Sequence, residues 1–255
     1  MPQIRGATAP RAPSIPARHA PFAACLGYDV PVAVLGVRRM LLELKGRHAL
    51  GGAVAIGPAR PEVALTFDDG PDPAWTPAVL DILSARRVRA TFFLLGLHVE
   101  RGPDLARAVA AAHEIGCHSY GHARATVSSL EAFRSDVARF RAAARGLAGD
   151  VRFYRFPWGD RGVVQPADVL ALEGMTCVHW SASAGDDTLD ADRIVARIER
   201  RLEPGAILLL HDGVAPGSVR RKSREETVRA LPRLLDAIEA RKLRPVTVGE
   251  LLAAR

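Results

Sequence analysis

From Pro61 onward, short apolar runs rich in β-branched and aromatic residues alternate with helical patterns, and this alternation restricts the fold more than any other feature. The runs are Val63–Phe67, Ala90–Leu95, Glu114–Cys117, Val151–Phe156, Met175–Trp180, Ile207–Leu210 and Pro245–Val248. Each is short enough for a strand and rich in residues that favour one. Between them, helical spacing covers Thr76–Arg87, Pro103–His113, Ser129–Leu147, Pro166–Leu172, Ala191–Leu202 and Glu225–Arg241. Pro103 opens one Ala-rich helix, and Gly205 follows Pro204 after another, as start and stop signals do. A β-α-β-α order repeated about six times predicts parallel strands in a barrel-like α/β domain, with helices outside.

The chain has 255 residues, of which 48% are hydrophobic, enough for a single sizeable core. Residues 61–255 are expected to form that domain. Residues 1–60 read as an extension: a flexible Pro- and Ala-rich tail over 1–20, then a short helix over Val37–Lys45, then Gly51 and Gly52 as a connector. Met1–Pro21 lacks the apolar core of a secretory signal, so the cytoplasm is the expected compartment. No apolar run approaches the about 20 residues that span a bilayer. Cys25, Cys117 and Cys177 are too scattered for a disulfide framework or a CxxC site.

A net charge of +7 raises the question of nucleic acid. Aromatics make up only 5% of the chain, which leaves little for base stacking, and the excess charge is mostly Arg scattered along helices, as at Arg197, Arg200 and Arg201. A solvated surface accounts for it better.

Polar residues gather at the carboxyl ends of the expected strands, the face where α/β barrels carry chemistry. Asp68 and Asp69 follow the first run, His118 the third, and Arg155–Trp158 close the fourth; Asp186 follows the fifth and His211 closes the sixth. His118 and His122, four apart, can share one ion if they lie on one side of a helical turn. HxxxH by itself reads first as two packed or surface histidines; the preceding strand and Gly121, which permits a tight turn, favour the shared ion. Asp68-Asp69-Gly70-Pro71 is equally a turn, although adjacent carboxylates raise each other's cost unless a cation is near. Two imidazoles and one carboxylate make the donor set of a catalytic metal with room for water, leaving the other Asp as a base.

In order along the chain stand Thr66–Pro71 (TFDDGP), His118–His122 (HSYGH), Arg155–Gly159 (RFPWG), Trp180–Asp186 (WSASAGD) and Leu208–Asp212 (LLLHD). Together with Ala90–Phe93 and His113–Gly116, these segments resemble the polysaccharide deacetylases of carbohydrate esterase family 4, the NodB-homology family, from about Pro61 to the C-terminus. The resemblance implies a distorted, seven-stranded (β/α) barrel of NodB type. It implies a hydrolase that removes N-acetyl groups from an amino-sugar glycan or glycoconjugate, whether free oligosaccharide or lipid-linked sugar. It implies Asp68 as general base, Asp69, His118 and His122 as metal ligands, and Arg155 orienting Asp68. The backbone N–H of Trp158 would help hold the oxyanion, Leu209 or Leu210 would wall the acetyl pocket with Trp158, and Asp186 would support His211 as general acid. One divalent ion is implied, Zn²⁺ first, with Co²⁺, Ni²⁺ or Mn²⁺ able to take such a site. On this division Asp68 should be pushed down and His211 up in pKa. The other readings are a carbohydrate-binding pseudoenzyme of the same fold, and a deformylase or O-deacetylase.

The sequence departs from the family pattern in the fourth segment, where Ser183 replaces the earlier Asp and Asp187 stands where a Trp is usual. Cys117 takes the place of the usual Asn; it reads as a small buried side chain, with a fourth soft ligand as the alternative. His179 reads as packed, and His19, His48 and His98 as surface groups. Arg220-Arg221-Lys222 and Arg224 read as a solvated loop, or as a site for an acidic group on the substrate.

Overall fold

The computed structural model describes residues 53–124, 129–147, 150–159, 174–218 and 223–254. The expected tail and helix before residue 53, the helix over Pro166–Leu172 and the run Arg220–Lys222 lie outside the described residues.

Among the described residues eight strands occur in chain order: β1 (Glu62–Asp68), β2 (Thr91–Leu94), β3 (Glu114–Cys117), β4 (Phe153–Tyr154), β5 (Thr176–Cys177), β6 (Ala182–Ser183), β7 (Ile207–His211) and β8 (Arg244–Val246). The helices between and after them are α1 (Thr76–Ala85), α2 (Gly96–Arg101), α3 (Pro103–Ala112), α4 (Leu130–Ala143), α5 (Ala191–Glu199), α6 (Glu225–Ala240) and α7 (Val248–Leu252). All seven expected runs carry a strand, several of them shortened. Three elements escaped the sequence reading: β6, only two residues long; α2, a six-residue helix of mixed polarity; and α7, five residues that begin at Val248, where the strand run Pro245–Val248 was expected to end.

Every strand pairing is parallel, along the path β5-β4-β3-β2-β1-β7-β6, so seven strands curl into the expected distorted barrel. β8 pairs with the first residues of β1, on the side that β2 occupies further along. Residues just before β1 reach across the seam between the ends of the path. Val54 pairs with Val178 after β5, and Ile56 with Ala206 before β7. Those contacts satisfy backbone groups that a sheet edge would leave open.

Alternation along the strands assigns every side chain to a face. Val63, Leu65 and Phe67 of β1, with Leu208 and Leu210 of β7, join the large core beneath the helices. Ala64, Thr66 and Asp68 take the inner face. There Ala64 meets Phe93, Phe153, Val178 and Ile207 in a smaller cluster that closes the barrel floor with α7. The helices bury matching stripes, such as Ile194, Val195 and Ile198 of α5 and Leu231, Leu234 and Ile238 of α6.

Candidate active site

The β1–β7 register sets Thr66 opposite Leu209 and Asp68 opposite His211, so the two polar residues stand abreast at the carboxyl end of neighbouring strands. The same parity turns Leu209 inward. Leu209 lines the pocket, whereas Leu210, which the sequence offered as a wall residue, is fully buried in the core on the other face. A one-residue difference reverses a strand side chain.

Asp68 is buried, and Arg155, with no exposure at all, donates from Nη1 to its Oδ1 at 2.8 Å. The rest of the guanidinium is spoken for: Nη1 also reaches Thr66 Oγ1 at 2.7 Å, Nε the Val178 carbonyl at 3.2 Å, and Nη2 the His179 carbonyl at 3.0 Å. Thr66 in turn donates to the Leu208 carbonyl at 2.6 Å. A planar cation held at so many points cannot swing away from Asp68. Burial pushes the Asp68 carboxyl up, against the pull of Arg155. The expectation of a depressed Asp68 is therefore corrected: desolvation outweighs the ion pair.

Asp69 turns back from the strand at φ 73°. His98 holds the turn through Nδ1, which lies 2.8 Å from the Asp69 carbonyl. That contact corrects the surface reading of His98, which is half-buried against the site. Asp212 stands behind the turn, its backbone N–H donating to the Asp68 carbonyl at 3.2 Å and its carboxylate accepting from Thr76 at 2.5 Å.

His118 and His122 come together without a helix. The connecting residues form a loop in which Ser119 (φ 71°) and His122 (φ 63°) take left-handed conformations, a correction to the helical turn expected from their spacing. His118 Nε2 lies 3.5 Å and His122 Nε2 3.3 Å from Asp69 Oδ1. One ligand atom from each of the three residues lies within 4.8 Å of the others. Burial lowers both imidazoles to about 3, so their lone pairs are free at neutral pH. His118 Nδ1, 2.8 Å from the Arg155 carbonyl, carries the proton that leaves Nε2 as the donor. Asp69 Oδ1 is buried and accepts no hydrogen bond. A buried oxygen between two neutral imidazoles is costly unless a cation joins them, so these residues fit a divalent metal ion. Cys117 is in the core, and the described residues that could share an ion do not include it.

Across the pocket, His211 Nδ1 meets Asp186 Oδ1 at 2.8 Å, while Asp186 Oδ2 accepts from the His211 N–H at 2.7 Å and from Thr227 at 2.8 Å. Burial opposes a charge on His211, but Asp186, aided by Asp69 and Asp68, lifts it to about 9. That matches the expected upward direction.

The pocket between these groups is a cavity of about 210 Å³. Its walls include Phe156, Trp158, Trp180 and Leu209, with Trp158 the one large apolar side chain exposed among the described residues. Ser183 and Asp187 also line it. Trp180 lies against Gly159, where even a Cβ would come within 2.7 Å of the indole, so an aromatic face arrives from a different position in the segment. His179 is packed under Phe156, as expected. Arg224 is no solvated loop residue: it is buried, lines the pocket, and donates from Nε to the Gly213 carbonyl at 2.6 Å. Sequence reasoning missed Thr227 and misplaced His98, since neither carries a local signal; Trp180, quoted only as the start of the fourth segment, proves to be a pocket wall.

A family model described as "Polysaccharide deacetylase" matches residues 56–176. A chitooligosaccharide deacetylase of Bradyrhizobium sp. (strain ANU 289) is 40% identical over 190 residues, 70% of this chain and 85% of that protein. The chain belongs to the polysaccharide deacetylase family. A peptidoglycan-N-acetylglucosamine deacetylase of Bacillus cereus is 35% identical over 198 residues, covering 74% of this chain and 87% of the relative. Among solved structures, the Bc1960 peptidoglycan N-acetylglucosamine deacetylase superposes with a TM-score of 0.72 at 31% identity, over 78% of this chain and 91% of that one. This deacetylase is thus a carbohydrate-directed hydrolase of carbon–nitrogen bonds other than peptide bonds.

Proposed function

We propose that the chain removes the acetyl group from N-acetylglucosamine units of a glycan by metal-assisted hydrolysis. The observation that carries this reading is the convergence of three groups on one pocket: the Asp69–His118–His122 cluster, the Asp68–Arg155 pair and the His211–Asp186 pair. The substrate class follows the relatives, whose names specify chitooligosaccharides and peptidoglycan N-acetylglucosamine.

Amide hydrolysis needs an activated water, relief of charge on the tetrahedral oxygen, and a proton for a poor leaving group. A divalent ion held by Asp69, His118 and His122 supplies Lewis acidity toward water and carbonyl when bound. Asp68, fixed by Arg155, takes the proton from the attacking water. Burial shifts its carboxyl upward, the direction that favours accepting a proton. The backbone N–H of Trp158 faces the developing oxyanion in this reading, and Leu209, Trp158 and Phe156 enclose the acetyl methyl. His211, charged at neutral pH through Asp186, gives its proton to the departing amine. A pure binding module needs neither a buried base nor a charged acid, so the pseudoenzyme reading lacks support.

Acetate release from chitooligosaccharides and from peptidoglycan fragments, beside N-formyl and O-acetyl analogues, tests the proposal. Asp68→Asn should lower kcat by about 10²–10⁴-fold while still binding oligosaccharide. No acetate from any N-acetylated glycan, with metal supplied, would sink it.

A further inference from the structure

The loop that carries the two imidazoles is held from outside by a carboxylate that belongs to neither the metal cluster nor the acid–base pairs. Asp136, on α4, accepts from the Tyr120 N–H at 2.8 Å and, through its other oxygen, from the Gly121 N–H at 3.4 Å. These are the central residues of the turn between His118 and His122. Tyr120 is pinned at both ends as well: its hydroxyl donates to Glu100 of α2 at 2.7 Å, and the Arg139 guanidinium lies 3.7 Å from its ring centroid. At the start of α2, Gly96 and Leu97 donate to the Ser119 and Tyr120 carbonyls at 3.1 and 2.9 Å.

The turn is strained. Ser119 and His122 both hold left-handed backbone that L-residues disfavour, and persist in it only because the surroundings hold them there. Beside the turn lies a cavity of about 240 Å³, lined by Ser119, Phe133, Asp136, Arg139 and Tyr154. Tyr120 packs its ring into the core on one side of the turn, and on the other Asp136 grips two successive N–H groups of the loop backbone.

We propose that Asp136 is a positioning residue that presets the spacing of His118 and His122 for a divalent cation. This rests on the reading of Asp69, His118 and His122 as metal ligands. Outer groups that orient ligands carry about 10–100-fold of metal affinity.

The test is the Zn²⁺ Kd of metal-free protein, measured by competition with a chromophoric chelator, with the visible spectrum of the Co²⁺ form as a report of geometry. Asp136→Ala should raise Kd about 10–100-fold and alter the Co²⁺ bands. Asp136→Asn, which keeps the shape and one acceptor oxygen, should fall between it and wild type, and serves alone if the alanine variant does not fold. Ser129→Ala is the control: Ser129 caps α4 by accepting from the Ala132 N–H at 3.1 Å and does not touch the turn. It should lower Tm and leave Kd unchanged. Folded Asp136 variants that bind Zn²⁺ like wild type, or a control that loses affinity equally, overturn the inference. A wild-type chain that takes up no ion overturns the metal reading itself, and this inference with it.

Discussion

At the scale of single residues, the two acid–base pairs differ in what burial does to them. Arg155 cannot keep Asp68 from rising, because both partners are desolvated and every other arm of the guanidinium is committed elsewhere. Asp186 succeeds with His211, taking Nδ1 and the backbone N–H of the same residue. A histidine raised from its ordinary 6.5 to about 9 is charged at neutral pH. Its pairing stabilises the fold fully below about 6.5 and loses that contribution as pH rises through about 9. The rate should follow the same direction, with kcat/KM falling on an alkaline limb near 9. In Asp186→Asn that limb should move down toward the ordinary imidazole value, seen in a pH–rate profile across pH 5–10. An unmoved limb would remove His211 as the acid.

Among elements, the weight falls on how strands β1, β2 and β3 stack under the site. Gly116 of β3 leaves room for Phe93 of β2: a Cβ there would stand 2.4 Å from the ring. Phe93 in turn supports Arg155, whose guanidinium carbon lies 4.1 Å from its centroid. Gly116→Ala should therefore destabilise the domain by about 1–3 kcal/mol through overpacking, visible as a lower Tm. It should also reduce kcat more than it raises KM, because a displaced Phe93 disturbs the hold on Asp68. A variant with normal Tm and kcat would show that the ring has another place to go. β6 and α2 show the limit of reading elements from a sequence. Two residues cannot display a period, and Gly96–Arg101 has no amphipathic stripe, so both exist because neighbouring elements accept their backbone groups.

For the molecule as a whole, the sheet delivers side chains from β1, the β3 loop, the β4 end and β7 to one cavity. If Asp69, His118 and His122 hold a cation, binding and stability are linked. Ion at 100 times its Kd adds about 2.7 kcal/mol, roughly 5–10 °C in Tm for a domain of this size. Exhaustive chelation should remove that increment together with turnover, and added Zn²⁺ or Co²⁺ should restore both in calorimetry and acetate assays. Full turnover after chelation would end the metal reading.

What the sequence determined by itself was the alternation of the longer strands and helices from Pro61 onward, and which polar residues lie at strand ends. Hydrophobic period and turn chemistry are local properties, so Asp68, Asp69, His118, His122, Arg155, Asp186 and His211 could all be named from them. The tertiary structure alone decided how those residues meet. Inter-strand register set Asp68 beside His211 and turned Leu209, not Leu210, to the pocket. Through-space burial reversed the expected shift of Asp68. A loop held by Asp136, 14 residues beyond His122 in the chain, brought the two imidazoles together where a helical turn was expected. Registers, desolvation and such anchors are pair properties of distant residues, and no one-dimensional pattern records them.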